Sequence, residues 1–317
     1  MKYTIHTDMD SRLTVQVLGW NSAGDLPATC AALEKIPADE VIIRYIDNAS
    51  SDDSVEVVQR LLPNAEIVEL AENKGFSSGN NEGFMRCTTD LVLVLNPDVV
   101  VDWEGIKKVM RVFEDNKVAA AQGLLLRDES VIDSAGIVLS LAMNGVDRGA
   151  GEVNPGQYNV RSEVKAVTGA CGLYRMKSLR DVTHKDGEIF DNDFFAYKED
   201  VDLGWRLNHA GWKVVYEPVV TGVHKRKLGR QGAMGWGSDP AEFYRRLRSK
   251  RTRYSLRNWV WMIVKNITLK EGLKHEIFID ARLLLFFCLS FLYPPLVTVW
   301  LEIIWGLTKM AKKRKAG

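Results

Sequence analysis

Cysteine and histidine are scarce in this chain, four and five among 317 residues. Cys30, Cys87, Cys171 and Cys288 lie far apart with no CxxC pair, which speaks against a cysteine-ligated zinc and a disulfide framework and suits a reducing cytoplasm. The first residues, MKYTIHTDMDSR, lack an apolar run and carry acids, so they do not read as a secretory signal and the chain is expected to stay where it is made. There is no internal repeat and no low-complexity stretch, which sets aside solenoids and arrays. A GxGxxG string after the first apolar run and a GxxxxGK[ST] string are both missing, which argues against a nicotinamide-binding domain and a P-loop.

What is present is unevenly divided. Hydrophobic residues make up 46% and charged residues 26%, enough for one large α/β domain with an appendage. The net charge of +1 hides an asymmetry: from His224 onward there are 20 Lys and Arg against 6 Asp and Glu, while the preceding residues hold 22 against 35. An acidic first part suits cation chemistry, and a basic second part suits an anionic partner, either nucleic acid or lipid.

Apolar or β-branched runs at 13–18, 41–46, 66–70 and 91–95 alternate with helical spacing at 26–36, 54–62, 79–87 and 103–114, the last with Asp102 placed to cap it. Strand and helix in this order predict a doubly wound, mostly parallel sheet with helices on both faces, whose ligands lie beyond the carboxyl ends of the strands. The residues found there are Trp20-Asn21-Ser22, Asp47-Asn48, Asn73-Lys74-Gly75 and Asn96-Pro97-Asp98. Each is acceptable as an ordinary turn; all four on one edge point to a binding site. Further strands are expected at 118–125, 165–175 and 213–216, and a helix at 198–209 closed by Gly211. Residues 144–161 read as a mobile loop able to close over an acceptor.

The remainder differs in kind. Residues 225–257 hold eleven basic residues against Asp239 and Glu242, and 283–301 is a run of nineteen residues without charge, interrupted by Pro294-Pro295. That run is just long enough to cross a bilayer, but the double proline favours a kinked or re-entrant hairpin in the cytoplasmic leaflet. An apolar tail of this kind favours lipid over nucleic acid as the anionic partner; a buried helix pair in a soluble oligomer is the alternative. The expected division is therefore 1–224, with halves of about 11–125 and 126–224, followed by a basic, apolar helical region at 225–317.

Several side chains carry chemistry in this frame. Asp47 at a strand end can accept a hydrogen bond from the N3–H of uracil or thymine, and Asp52 can cap a helix. Gly75, Gly79 and Gly83 recur at four-residue spacing in NKGFSSGNNEG, either to let backbone approach a phosphate or to allow a tight helix-to-sheet contact. Asp98 after LVLVL can hold a divalent cation on a diphosphate, with His224 as a second ligand. Glu199-Asp200-Val201-Asp202 opens a helix and offers either a general base or acids that suit the helix dipole. Arg206, Lys225 and Arg226 are candidates for an acceptor or its diphosphate.

Together the strings WNS, DNASSDDS, NKGFSSGNNEG, LNPD, TGACGLYR and FDNDFFAYKEDVDLGWRLNHAGW, with the later His224, resemble family 2 glycosyltransferases of the GT-A fold, in particular their bacterial rhamnosyltransferase-like group. The resemblance implies that Asp47 reads the pyrimidine and that the 73–81 segment lines the nucleotide together with Asn21 and Asn96; within that segment it points to Asn73, Gly75, Phe76, Gly79 and Asn81. It implies Asp98 and His224 as ligands of Mg²⁺ or Mn²⁺, and Asp200 as the base of an inverting displacement. The implied donor is dTDP-L-rhamnose, with a UDP-hexose as alternative, and the implied acceptor is a lipid-linked sugar or polysaccharide. A non-catalytic assembly protein of the same fold is the other reading. Asn96 stands where many relatives carry Asp, and Trp20 where tyrosine is more usual.

Overall fold

The computed structural model describes residues 10–225, 245 and 247–314. Its centre is a ten-stranded sheet. Strands β1 (Asp10–Gly19), β2 (Val41–Asp47), β3 (Glu66–Glu69) and β4 (Thr89–Leu95) run parallel in the order β3-β2-β1-β4. Helices α1 (Leu26–Leu33), α2 (Ser54–Leu61) and α3 (Gly75–Met85) connect them. After the short β5 (Val99–Val101), α4 (Trp103–Met110) starts where Asp102 accepts hydrogen bonds from the Glu104 and Gly105 amides, which is the expected cap. Beyond β6 (Val118–Leu126) come β7 (Ile132–Ser134), β8 (Ile137–Leu139), β9 (Gly145–Asp147) and β10 (Ser162–Glu163). They are followed by β11 (Cys171–Arg175), α5 (Met176–Asp181), α6 (Glu199–His209) and β12 (Lys213–His224).

The sheet continues as β4-β11-β6-β12-β10, with β11 antiparallel to both of its neighbours and β12 parallel to β6. Strand β12 loses register between Tyr216 and Val220, around Glu217-Pro218, because proline cannot donate to the ladder. It then reaches β5, placing His224 opposite Val99. Gly211 closes α6 at a φ of +82°, as its position after the helix led us to expect.

One apolar core lies on each face of the sheet. Leu13, Val15, Leu93 and Ile106 belong to the first, and Val92, Val94, Phe190 and Leu203 to the second. A third core joins α6 and β8 to the C-terminal helices α7 (Lys250–Asn266), α8 (Leu269–Leu292) and α9 (Leu296–Lys313), where Phe194, Val201 and Trp205 meet Trp259, Met262, Leu296 and Ile303.

Three expectations are corrected. Helix α3 begins at Gly75 instead of residue 79, and only the second half of 165–175 is strand, because Thr168 to Ala170 leave the ladder for the site below. Residues 144–161, expected as a loop throughout, include the strand β9 and a bridge at Val153. Strand β9 pairs with β8, Val131 bridges Val153, and the Arg148 guanidinium lies between the Tyr158 and Tyr216 rings while bonding Ala135 O and Ser162. The apolar run 283–301 is broken at the double proline, and α9 turns back along α8: Trp300 donates to Ser290, and Arg314 reaches Ile267 O. Among the described residues no helix is long and apolar enough to cross a membrane.

Candidate active site

Three loops at the carboxyl edge of the sheet are stitched to one another. Asn21, at a φ of +49°, accepts the Ser51 amide at 2.8 Å and donates its own amide to Ser50 Oγ at 2.9 Å. Asp47 is buried; one carboxylate oxygen accepts the Ser50 amide at 2.8 Å and the other makes only a 3.4 Å contact with the Tyr45 hydroxyl. Asp52 accepts the Ala23 and Ser54 amides instead of standing alone as a cap. Asn48 accepts the Lys74 amide and donates to Asn73 Oδ1 and Gly75 O. Asn73 in turn accepts the Gly75 amide.

Gly75 needs its missing side chain: φ is +77°, and a Cβ there would stand 2.5 Å from Phe195 O. Gly79 and Gly83 have another cause. Their Cβ positions fall against Leu18 and Gln16, so they bring α3 close to the sheet and do not face a ligand. Asn81 is likewise turned inward, donating to Phe190 O and Asn192 and accepting the Phe190 amide; the ligand role expected for it and for Gly79 is corrected to a packing role. Phe76 stays half-buried with its ring against Phe190, and it lies 3.0 Å from where Gly169 would carry a Cβ.

Asp98 and His224 arrive from different strands and meet. Asp98 Oδ1 lies 3.2 Å from His224 Nε2, and His224 Nδ1 lies 2.8 Å from Asp133 Oδ2. Asp133 is wholly buried and its other oxygen accepts Arg127 Nε at 3.0 Å. Burial pushes the imidazole pKa down, but the hydrogen bonds that the ring makes to Asp133 and Asp98 outweigh it and raise it to about 8. An oxygen and a nitrogen donor facing one another, with the far ring nitrogen held by a buried carboxylate, could hold a divalent cation. Among the described residues no third side chain joins them as a ligand group, so the set fits a cation whose other positions are filled by phosphate and water. The Lys225 amide donates to Asp98 O, and Arg226 lies outside the described residues.

The remaining candidate is tied to this pair through the backbone. Asn96 donates its amide to Ala170 O at 2.9 Å, and the adjacent Gly169 amide donates to Asp200 Oδ2 at 3.2 Å. Asp200 stands at the start of α6, directly after a contorted stretch: Phe195, Tyr197 and Lys198 all have positive φ, 62°, 72° and 76°. Non-glycine residues in such conformations cost about 1–3 kcal/mol each and persist only where the surroundings impose them. Burial raises the Asp200 carboxyl above its ordinary value against the pull of Lys198 and the Gly169 and Val201 amides. Burial and then Asp200 push buried Glu199 well above the usual carboxylate range, and Glu199 Oε2 has no hydrogen-bond partner. The two adjacent carboxyls thus disfavour ionising together. Arg206, expected near an acceptor, is instead interior: it pairs with Asp202 at 3.0 Å and donates to Val182 O and Ile189 O.

Asn48 had a place at the strand edge but no role assigned to it, and Asp133 and the left-handed run before Glu199 were not anticipated. Asn48 was visible as a polar residue at a strand end; the other two depend on pairing and backbone conformation that residue types do not reveal.

The Glycosyl transferase family 2 model matches residues 17–183. An N-acetylglucosaminyl-diphospho-decaprenol L-rhamnosyltransferase of Mycobacterium tuberculosis is 28% identical over 257 residues, 74% of this chain and 80% of that protein. The mannosyltransferase PcManGT of Pyrobaculum calidifontis, solved with GDP-Man and Mn²⁺, matches 94% of this chain and 87% of its own at 16% identity and a TM-score of 0.51. GalNAc-T7, solved with UDP, GalNAc and Mn²⁺, matches 80% of this chain and 48% of its own at 12% identity and a TM-score of 0.54. These two structures share the fold, a GT-A architecture.

Proposed function

The chain belongs to glycosyl transferase family 2, and from that premise we propose that it is an inverting transferase that moves L-rhamnose from dTDP-L-rhamnose to a lipid-linked or polysaccharide acceptor in cell-surface glycan synthesis. The reading is supported by the contact between Asp98 and His224 and by the backbone link that runs from Asn96 through Ala170 and Gly169 to Asp200. Bound at Asp98 and His224, Mg²⁺ or Mn²⁺ would neutralise charge on the departing diphosphate. Asp47 offers the oxygen not taken by Ser50 to the base, and the loops carrying Asn21 and Asn73 surround the nucleotide. Asp200 takes the proton of the acceptor hydroxyl, which attacks the anomeric carbon opposite the diphosphate, so configuration inverts. The choice of rhamnose is supported by the mycobacterial relative alone.

The same reading includes a lipid surface. Leu269, Leu273, Ile277, Leu284, Phe287 and Phe291 lie on one exposed face of α8, which exposed Asp280 interrupts, and Leu301, Ile304 and Trp305 are exposed on α9. With exposed Lys312 near its end, this surface suits seating along the cytoplasmic leaflet, where a lipid-linked acceptor would be presented.

The test is heat protection and hydrolysis with a panel of nucleotide sugars plus Mn²⁺. Protection by dTDP-rhamnose alone is expected; protection by a UDP-hexose instead replaces the donor, and protection by none defeats the transferase reading. Asp200→Asn is expected to abolish turnover while donor protection survives. Normal cellular glycan in that variant would favour the non-catalytic assembly role.

A further inference from the structure

The strained stretch before Asp200 is held from behind by a residue about sixty positions later. Asn258, on α7, is wholly buried, and its amide nitrogen lies 2.8 Å from Phe194 O, 2.9 Å from Ala196 O and 2.8 Å from Tyr197 O. A side-chain amide has two hydrogens, so three carbonyls converge on one donor group. Its oxygen accepts Arg257 Nε at 3.0 Å, and Arg257 donates to Asp193 O and Phe194 O while lying 4.4 Å from the Trp261 ring centre. Phe194 O also accepts from the Ala196 amide and Arg257, so it is Ala196 O and Tyr197 O, turned inward by the left-handed run, whose pairing rests on Asn258, and left unpaired in the interior they would drive the loop to rearrange.

On its other side the same loop touches the donor half. Phe195 O accepts the Ser77 amide at 3.1 Å and lies over Gly75. The loop therefore sits between α7 and the start of α3, and it leads directly into Glu199 and Asp200.

The geometry points to Asn258 as a positioning residue: by gathering the carbonyls of Phe194, Ala196 and Tyr197 it fixes the turn that aims Asp200 across the donor site. This rests on the reading of Asp200 as the base. It makes the C-terminal helices part of the reaction centre's support and not only a means of attachment.

Asn258→Ala, and Asn258→Asp as the variant of equal shape without donors, are to be compared with Trp259→Phe. The control removes a buried hydrogen bond of the same helix, Trp259 Nε1 to Ala142 O at 2.9 Å, away from the loop. Three quantities are read: the kcat and donor KM of transfer, the melting temperature, and amide hydrogen exchange. The Asn258 variants are expected to lose roughly 100-fold in kcat with donor KM within about twofold, and to exchange faster at Ser77 and across 194–200. Trp259→Phe should keep kcat at a comparable loss of melting temperature. Equal kcat losses in control and variants at matched stability would overturn the inference, as would unchanged exchange across 194–200. If the wild type transfers no sugar, the assignment of Asp200 fails separately. The exchange measurement then still decides whether Asn258 fixes the loop.

Discussion

Replacing Asp133 by Asn probes the proposed cation site from a position behind its histidine. Asp133 is wholly buried on β7, 2.8 Å from His224 Nδ1 and 3.0 Å from Arg127 Nε. Asparagine keeps the volume and still offers the ring an acceptor, but it removes the charge. A hydrogen bond to a charged group contributes about 1.5–3 kcal/mol and a neutral one about 1 kcal/mol, so the ring's hold on a cation weakens by about 1–2 kcal/mol, close to tenfold in affinity. That lies at the lower end of the range of about 10–100-fold found for outer-shell partners. Free Mn²⁺, followed by its paramagnetic resonance signal during titration in the presence of a nucleoside diphosphate, reads the change directly. Mn²⁺ affinity unchanged in Asp133→Asn would refute the chain of support from Asp133 through His224. The absence of saturable binding in the wild type would refute the site itself.

Burial raises the Asp200 carboxyl, and the base must be ionised, so the acid limb of the rate profile should lie above the ordinary aspartate value; a limb at or below it contradicts the role. Glu199 binds its proton more tightly folded than unfolded, so its contribution to stability is complete below the ordinary glutamate value and declines as pH rises toward the raised one; chemical denaturation of Glu199→Gln should show that decline flattened. Lys265→Met leaves buried Asp191 and Asp202 without the cation that stands 2.5 Å and 3.0 Å from them, a loss of about 3–5 kcal/mol. Calorimetry should find the melting temperature lower by roughly 5–8 °C, and an unchanged value would mean that Lys313 and Arg206 suffice. Leu273→Glu with Ile277→Glu, both on the exposed face of α8, should abolish flotation with anionic vesicles without unfolding the chain. A wild type that stays with the protein fraction and forms a dimer that these changes split would replace lipid by a second copy as the occupant.

The alternation of strand and helix was legible because each element's periodicity is local, and Asp102 was legible because a cap acts on its own next turn. The site was legible only as residue types at strand ends. Asn81, Gly79 and Arg206 share those types but face inward, where α3 meets the sheet and α6 meets the loop before it. Asp133 lies 91 residues from His224 in sequence and reaches it only because β7 pairs with β6. Phe195, Tyr197 and Lys198 carry no mark of a left-handed backbone, since no propensity predicts positive φ for aromatic or long side chains.

The charge asymmetry shows most clearly why counting falls short of contact. Basic residues after His224 were read as facing an outside anion, yet several of them face the chain's own acids. Lys265 meets Asp191 and Asp202, Lys309 meets Asp193, and Lys313 meets Glu188, Asp191 and Asp193. Arg253 and Arg257 meet Glu302 within the helical region itself. The acids from Glu188 to Asp202 bracket the strained turn and Asp200, so the tail's cations lie behind the same turn that Asn258 grips. A net charge of one sign says that a partner of the other sign exists; whether that partner is a membrane or the next part of the same chain is decided by burial. Here Asp191 and Asp202 are wholly buried and Lys265 is 1% exposed, which assigns this part of the asymmetry to the interior and leaves the exposed apolar face of α8 as the feature that calls for an outside surface.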